Sequence, residues 1–227
     1  GIGHKQAELV TNWMHERMKN ARVIANNPLM IRSTKITEVD KDYPDIVQYL
    51  EVAKGEYGYK GVLVCNDSGV ITVGTAGEAV GADVSQVDYF KQAIQGNTSA
   101  SNMIPSEIPL TNELGEKELG LPTMFVSTPL MDRDGVVIGV VAIRVDVNAL
   151  NDLMLSLNLG KTGETYLVNK DGFMLTESRF AAHLKEMGLV KKRCALSLKL
   201  VNSETGELNE GVKQCVAGNN GFDARGY

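Results

Sequence analysis

Arg144 and Asp146 stand two residues apart near the end of a long apolar run, GVVIGVVAIRVDV at 135–147. If that run is a strand, alternate side chains share a face. Ile138, Val140, Ala142, Arg144 and Asp146 then line one face, grading from apolar to charged. Small Ala142 leaves room there, and a recess with one convergent cation suits a small polar molecule. The Arg144 guanidinium is fitted to grip a carboxylate with two parallel hydrogen bonds, and Asp146 to hold an ammonium group. The same two residues also fit a solvated same-face pair worth about 0–1 kcal/mol. Both readings stand at this level.

Three other stretches supply companions. In MFVSTPL at 124–130, Ser127 shares a face with Phe125, and Met124, Val126 and Thr128 share the other. Ser127 is a donor for a bound carboxylate or a capping hydroxyl, and which of the two faces meets the recess stays open. Tyr89 and Phe90 in DYFKQAIQ either form an aromatic lid or belong to the core. Asp88 before them is either an anchor for an amine or the N-cap of a helix. The polar stretch 97–122, with Glu107, Glu113, Glu116, Lys117 and Glu118, reads as a flap over the recess or as a solvated insertion.

Other chemistries find little support. GKTGE at 160–164 resembles part of a phosphate loop, but that motif needs glycine where Leu155 stands. No GxSxG occurs, no histidine lies near Ser127, and the three histidines, His4, His15 and His183, are scattered without metal-ligand spacing. No cofactor is expected. Net charge is −5 over 227 residues, which argues against general nucleic-acid binding. No run of 18 apolar residues is present. The opening GIGHKQ reads as an internal start, so that absence carries no information about a longer parent. Cys65 sits in the apolar run VLVC as a core thiol, whereas Cys194 and Cys215 are candidates for a disulfide in an oxidising compartment.

The elements that must position these residues begin with a helix over 4–27, its apolar stripe running through Val10, Trp13, Met14, Met18, Ala21, Ile24 and Ala25 and its end set by Pro28. Such a helix is about 36 Å long, at least as long as a 100-residue module is wide. A second helix over 43–54 turns Ile46, Leu50 and Ala53 to one side. Strands follow at 61–66 and 70–73 around Asn66-Asp67-Ser68-Gly69, whose residue types suit a tight hairpin turn. A short helix at 88–95, a hairpin across 123–147 turning at Asp132-Arg133-Asp134-Gly135, and a helix at 148–159 complete one unit. The pattern then restarts: GETYLV, a turn at Asn169-Lys170-Asp171-Gly172, and FMLTE, with a further strand at 195–201. Val137, Val141, Ile143, Val145 and Val147 make the continuous apolar face expected to pack on a helix.

The combination of DYFKQAIQG, LPTMFVSTPLMDRDGVVIGVVAIRVDVNAL and GKTGETYLVNKDGFMLTESRF resembles the double Cache family of extracytoplasmic sensor domains, over roughly 4–227. The resemblance implies an α+β fold in which a long N-terminal helix is followed by two tandem PAS-like modules with antiparallel sheets. The divisions would be 1–33 for the helix, 34–156 for the membrane-distal module and 157–227 for a membrane-proximal module. The second copy lacks a counterpart of the 123–147 hairpin, so the native chain is expected to continue past Tyr227. The family implies a membrane-anchored parent, its sensor outside the cytoplasm and pairing with a second copy through the N-terminal helix. The output is of the histidine kinase type by the mix of blocks, with a chemoreceptor or cyclic-dinucleotide enzyme as alternatives and a ligand-free protein interaction module as another class. The distal module would take a small polar metabolite: a carboxylate, amino acid or amine. Amino-acid binders of the family often carry Arg and then Trp-Tyr where this chain has Val87 and Tyr89-Phe90, so the usual α-carboxylate clamp is absent or moved.

Overall fold

The computed structural model describes residues 2–157 and 163–217. Gly160, Lys161 and Thr162, the last residues of the expected 148–159 helix and the tail beyond 217 lie outside the described residues. The chain divides into two compact units, one of Trp13–Asp146 and one made of the first 12 residues with 147 onward. The division therefore falls after Asp146, so the helix expected at 148–159 groups with the second unit. The family fold is α+β, as expected.

In the Trp13–Asp146 unit the elements run as follows. Helix α1 (Ile2–Ala25) contributes its residues from Trp13 on, followed by α2 (Met30–Ser33) and α3 (Tyr43–Tyr57). Strands β1 (Gly61–Asn66) and β2 (Ile71–Gly74) precede α4 (Asp88–Ile94). Then come the short strands β3 (Ser99–Ala100), β4 (Ile104–Pro105), β5 (Leu110–Thr111) and β6 (Lys117–Glu118), and the long pair β7 (Pro122–Met131) and β8 (Val137–Val145). The antiparallel sheet is ordered β2-β1-β8-β7-β3, with β4 also on β7; β5 and β6 form a separate ribbon.

Two apolar layers sandwich this sheet. One packs Ala21 and Ile24 of α1 and Ile46 and Leu50 of α3 onto Val62, Val64, Val126, Val141 and Ile143. The other packs Tyr89, Phe90 and Ala93 of α4 onto Leu63, Cys65, Phe125, Val140 and Ala142. The alternation read in β8 is thus realised from Gly139 onward. Ile138 departs from it and packs with the α1–α3 layer. The cause is a bulge: Leu130 pairs with Gly139 but Met131 pairs with Val137, so Ile138 has no partner and the faces exchange there.

Among the described residues one turn recurs four times. Asn66, Asn112, Asp132 and Asn169 each accept, through the side-chain oxygen, the backbone N–H groups two and four residues on. Each ends at a glycine with φ between +79° and +86°: Gly69, Gly115, Gly135 and Gly172. A side-chain oxygen at the first position and a residue tolerant of positive φ at the fourth are what this turn demands. At Gly69 a methyl group would also lie 2.6 Å from the Ser85 Cα, so only glycine fits.

The second unit contains the start of α1, α5 (Val147–Ser156), α6 (Ala181–Glu186) and α7 (Glu210–Val216). Met174, Val190 and Cys194 form a buried cluster in it, with Tyr166, Leu184, Leu198 and Leu200 around them. The strands expected at 163–168, 173–177 and 195–201 are not regular strands. They are joined by isolated antiparallel bridges, Val168 with Met174, Phe173 with Lys199 and Val201 with Leu208. Side chains interrupt the ladder: Thr176 Oγ1 accepts the Leu167 N–H, and the Glu177 carboxylate accepts those of Cys194 and Ala195. Cys194 and Cys215 are free, the first buried and the second exposed on α7, so the candidate disulfide is not formed.

Candidate functional site

The face of the sheet turned toward α4 carries the polar chemistry of the first unit. Arg144 is opposite Gly61 on β1 and Phe125 on β7. Its side chain is 4% exposed. Nε donates to Glu78 Oε1 and Nη2 to Glu78 Oε2, both at 3.0 Å. Nη1 donates to Thr123 Oγ1 at 3.0 Å and reaches Ser106 Oγ at 3.5 Å. The guanidinium carbon lies 4.4 Å from the centre of the Phe125 ring, a geometry in which a desolvated cation gains about 2 kcal/mol. Tyr89 stacks on the same ring, centroids 4.4 Å apart and planes tilted by 33°. Burial pushes the Tyr89 phenol well above its ordinary range, with Cys65, Glu107 and Glu78 adding to the effect and Arg144 opposing it.

The structure thus gathers four of the six residues singled out in the sequence. Arg144, Tyr89, Phe90 and Ser127 share this face, with Ser127 Oγ donating to the Tyr89 carbonyl at 2.8 Å. That contact settles which face of β7 is involved. Asp146 and Asp88 do not join them. Asp146 follows the end of β8, half-exposed, and its carboxylate is 3.9 Å from Lys60 Nζ. Asp88 is exposed in the first turn of α4, whose N-cap is Val87, with no side-chain capping bond. There its charge meets the positive end of the helix dipole.

Glu78 is the residue that sequence reasoning missed. Its partner is 66 positions away, and nothing local announces it. A faint signal existed in the two glycines at strand positions, Gly61 and Gly74, since glycine inside a strand often marks a close approach. A methyl on Gly61 would lie 2.1 Å from Glu78 Oε1, and one on Gly74 would lie 2.8 Å from its Cβ. Thr123 and Ser106 were also missed. Ser106 belongs to the irregular stretch 97–122, which therefore does reach the Arg144 cluster.

A well-defined surface groove lies elsewhere. It measures about 430 Å³, opens broadly to solvent, and is lined by Ile31, Arg32, Asp40 and Ile138 among others, on the α1–α3 side. It holds no buried polar cluster comparable to that around Arg144, and the chemistry there is the better guide to a site.

A Cache domain family model of the double type, dCache_1, matches residues 2–221. The chain belongs to that family. Its fold is shared with sensor domains of known structure. The ligand-binding domain of the Campylobacter jejuni chemoreceptor Tlp3, in complex with 4-methylisoleucine, aligns with a TM-score of 0.59 at 13% identity, covering 84% of this chain and 71% of that one. The sensor domain of the V. cholerae histidine kinase DctB aligns at 0.58 and 10% identity, covering 81% and 71%. The ligand-binding domain of the Pseudomonas aeruginosa PAO1 amino acid chemoreceptor PctC, in complex with GABA, aligns at 0.55 and 20% identity, covering 85% and 76%. No curated protein matches the chain. It is a sensor-type domain by family, and no helix among the described residues is long and apolar enough to cross a membrane.

Proposed function

We propose that this chain is the extracytoplasmic sensor of a membrane-anchored receptor of the histidine kinase type, and that it binds a small polar metabolite in the Trp13–Asp146 unit, the membrane-distal module. The observation that carries the reading is a buried, two-pronged cation, Arg144, on the sheet face away from α1, in a chain of a sensor family. Arg144 supplies the carboxylate anchor, Ser127, Tyr89 and Phe90 the wall beside it, and the stretch 97–122 the cover. The complexes of Tlp3 with 4-methylisoleucine and of PctC with GABA support a small molecule carrying both a carboxylate and an amine. Closure over the ligand alters how the sheet packs on α1. Helix shifts of about 1–2 Å are a recognised switching mode, and two receptor chains paired along this helix would carry such a shift onward.

The experiment is a thermal-shift screen of the chain against amino acids, dicarboxylates and amines. A ligand at 100 times its Kd adds about 2.7 kcal/mol. The shift must vanish in an R144M/E78M double variant, which removes both charges together. A shift unchanged in that variant would move the site away from Arg144.

A ligand-free protein interaction module is the second reading. The observation favouring it is that Arg144 is already occupied by Glu78. No response across the panel decides for it. A chemoreceptor output is favoured by the likeness to Tlp3 and PctC, and the domain that follows in the full receptor distinguishes it from a kinase.

A further inference from the structure

We propose that Glu78 is a tethered competitor for the ligand: it occupies on Arg144 the position that a ligand carboxylate takes, so the ligand of this site carries a carboxylate and binds by displacing Glu78. This deepens the reading of the Arg144 face as the ligand site and rests on it.

The geometry is that of a carboxylate in a receptor site. Both oxygens of Glu78 meet the Nε–Nη2 edge of Arg144 at 3.0 Å, with the two side chains only 4% and 3% exposed. This edge is the one a free carboxylate grips in a two-pronged pair. The slot itself belongs to the sheet and not to Glu78. It exists because Gly61 and Gly74 carry no side chain, and a methyl on Gly61 would sit 2.1 Å from the Glu78 oxygen. Arg144 faces it, itself held by Thr123 and the Phe125 ring on the neighbouring strand.

The two partners are held very differently. Arg144 is held near the C-terminal end of β8, paired with β1 on one side and β7 on the other. Glu78 lies in the connection after β2, between Gly77 at φ +90° and Gly81 at φ +89°. Its neighbours Ala76, Gly77, Ala79 and Val80 are exposed. Turning the Glu78 side chain outward past these exposed neighbours brings the carboxylate into water, where it needs no partner. The cation has no such exit. Two carboxylates cannot share one guanidinium edge without like-charge repulsion, so an entering carboxylate expels Glu78. A plain amine cannot take its place, because that would leave Arg144 buried and unpaired.

Occupancy by Glu78 acts as a threshold. Apparent affinity falls by the fraction of molecules in which the slot is open. Removing the competitor raises affinity without any new contact.

The test measures binding of acetate, succinate, γ-aminobutyrate and L-valine to the wild-type chain, E78Q and R144M/E78M, by calorimetry at fixed ionic strength with methylammonium chloride as control. Glu78→Gln keeps an acceptor beside the guanidinium but removes the competing charge. Its expected effect is roughly 10–100-fold tighter binding of the responding carboxylate, with none in the double variant. Binding to E78Q by a probe that wild type ignores also supports the proposal. Equal affinity in wild type and E78Q, with loss in the double variant, overturns the competitor and leaves the Arg144 site standing. Weaker binding in E78Q overturns it too, by making Glu78 a direct ligand contact. Failure of every probe on every form removes the sensor site and the competitor together. Should E78Q fold poorly, Glu78→Ala leaves the slot empty beside Arg144. Acetate or formate then restores its melting temperature where methylammonium does not; absence of that rescue counts against the proposal.

Discussion

The Arg144–Glu78 pair makes an asymmetric stability prediction. Removing one member of a buried, hydrogen-bonded ion pair costs about 3–5 kcal/mol, mostly from the charge left behind, whereas replacing both by apolar residues of similar size is often neutral. The structure distinguishes the two members. In E78M the guanidinium stays buried on β8 with Thr123 and Ser106 as its remaining partners, so the full cost of about 3–5 kcal/mol is expected. In R144M the orphaned carboxylate escapes to solvent on its glycine-flanked connection, and the new Met packs on Phe125, so a cost of about 2–3 kcal/mol is expected. R144M/E78M should lie within about 1.5 kcal/mol of wild type, giving a coupling of several kcal/mol. The assay is urea unfolding followed by fluorescence of Trp13, the sole tryptophan, which stacks on Arg17 within the same unit. At about 3–5 °C per kcal/mol for a unit of this size, E78M should also melt roughly 10–20 °C lower. Equal costs below about 1 kcal/mol that simply add would refute the dry pair and the exit of Glu78 to solvent together.

Further outcomes follow from the turns and thiols. Gly69→Ala should cost more than about 2 kcal/mol, since it meets both a positive φ and the Ser85 backbone at 2.6 Å. Gly77→Ala, with open space around it, should cost only about 1 kcal/mol; similar values for the two, read by urea unfolding, would contradict the steric account. Asp132→Ala should lose about 1–2 kcal/mol with its two backbone bonds, and Asp132→Asn should recover most of it. With a thiol reagent at pH 8, Cys215 should react at once and Cys65 and Cys194 only on unfolding; a fast Cys65 would contradict its burial. Burial pushes the Cys65 thiol from 9.0 up to about 12. The unfolded chain releases that proton first, so the contribution is intact below pH 9 and is lost as pH rises toward 12. Cys65→Ala should flatten the stability profile in that window.

Much of the first unit was legible because it is written locally. Period-two alternation in 135–147 predicts the strand and its two faces, and the 3–4 spacing of Trp13, Met14, Met18, Ala21 and Ile24 predicts the helix face that meets them. The turn at Asn112 carries the same Asn-x-x-Gly pattern as the one at Asn66, yet its surroundings read as irregular, because two-residue strands have no periodicity to detect. The bulge at Ile138 was illegible for a different reason. Nothing in an apolar run says where pairing slips by one, and the slip is set by the partner strand. The second unit misled because apolar runs around a good turn chemistry look like strands, while Thr176 and Glu177 divert the hydrogen bonds that would make them so.

By itself the sequence determined the α+β class, the helix and hairpin that frame the first unit, the family resemblance and the candidacy of Arg144, all consequences of residue type and short-range spacing. Only the tertiary structure decided what Arg144 touches. Its partner Glu78 comes from a connection 66 residues away, into a slot cleared by two glycines on neighbouring strands. Such a meeting depends on how the chain folds back in space, and composition and periodicity are blind to it.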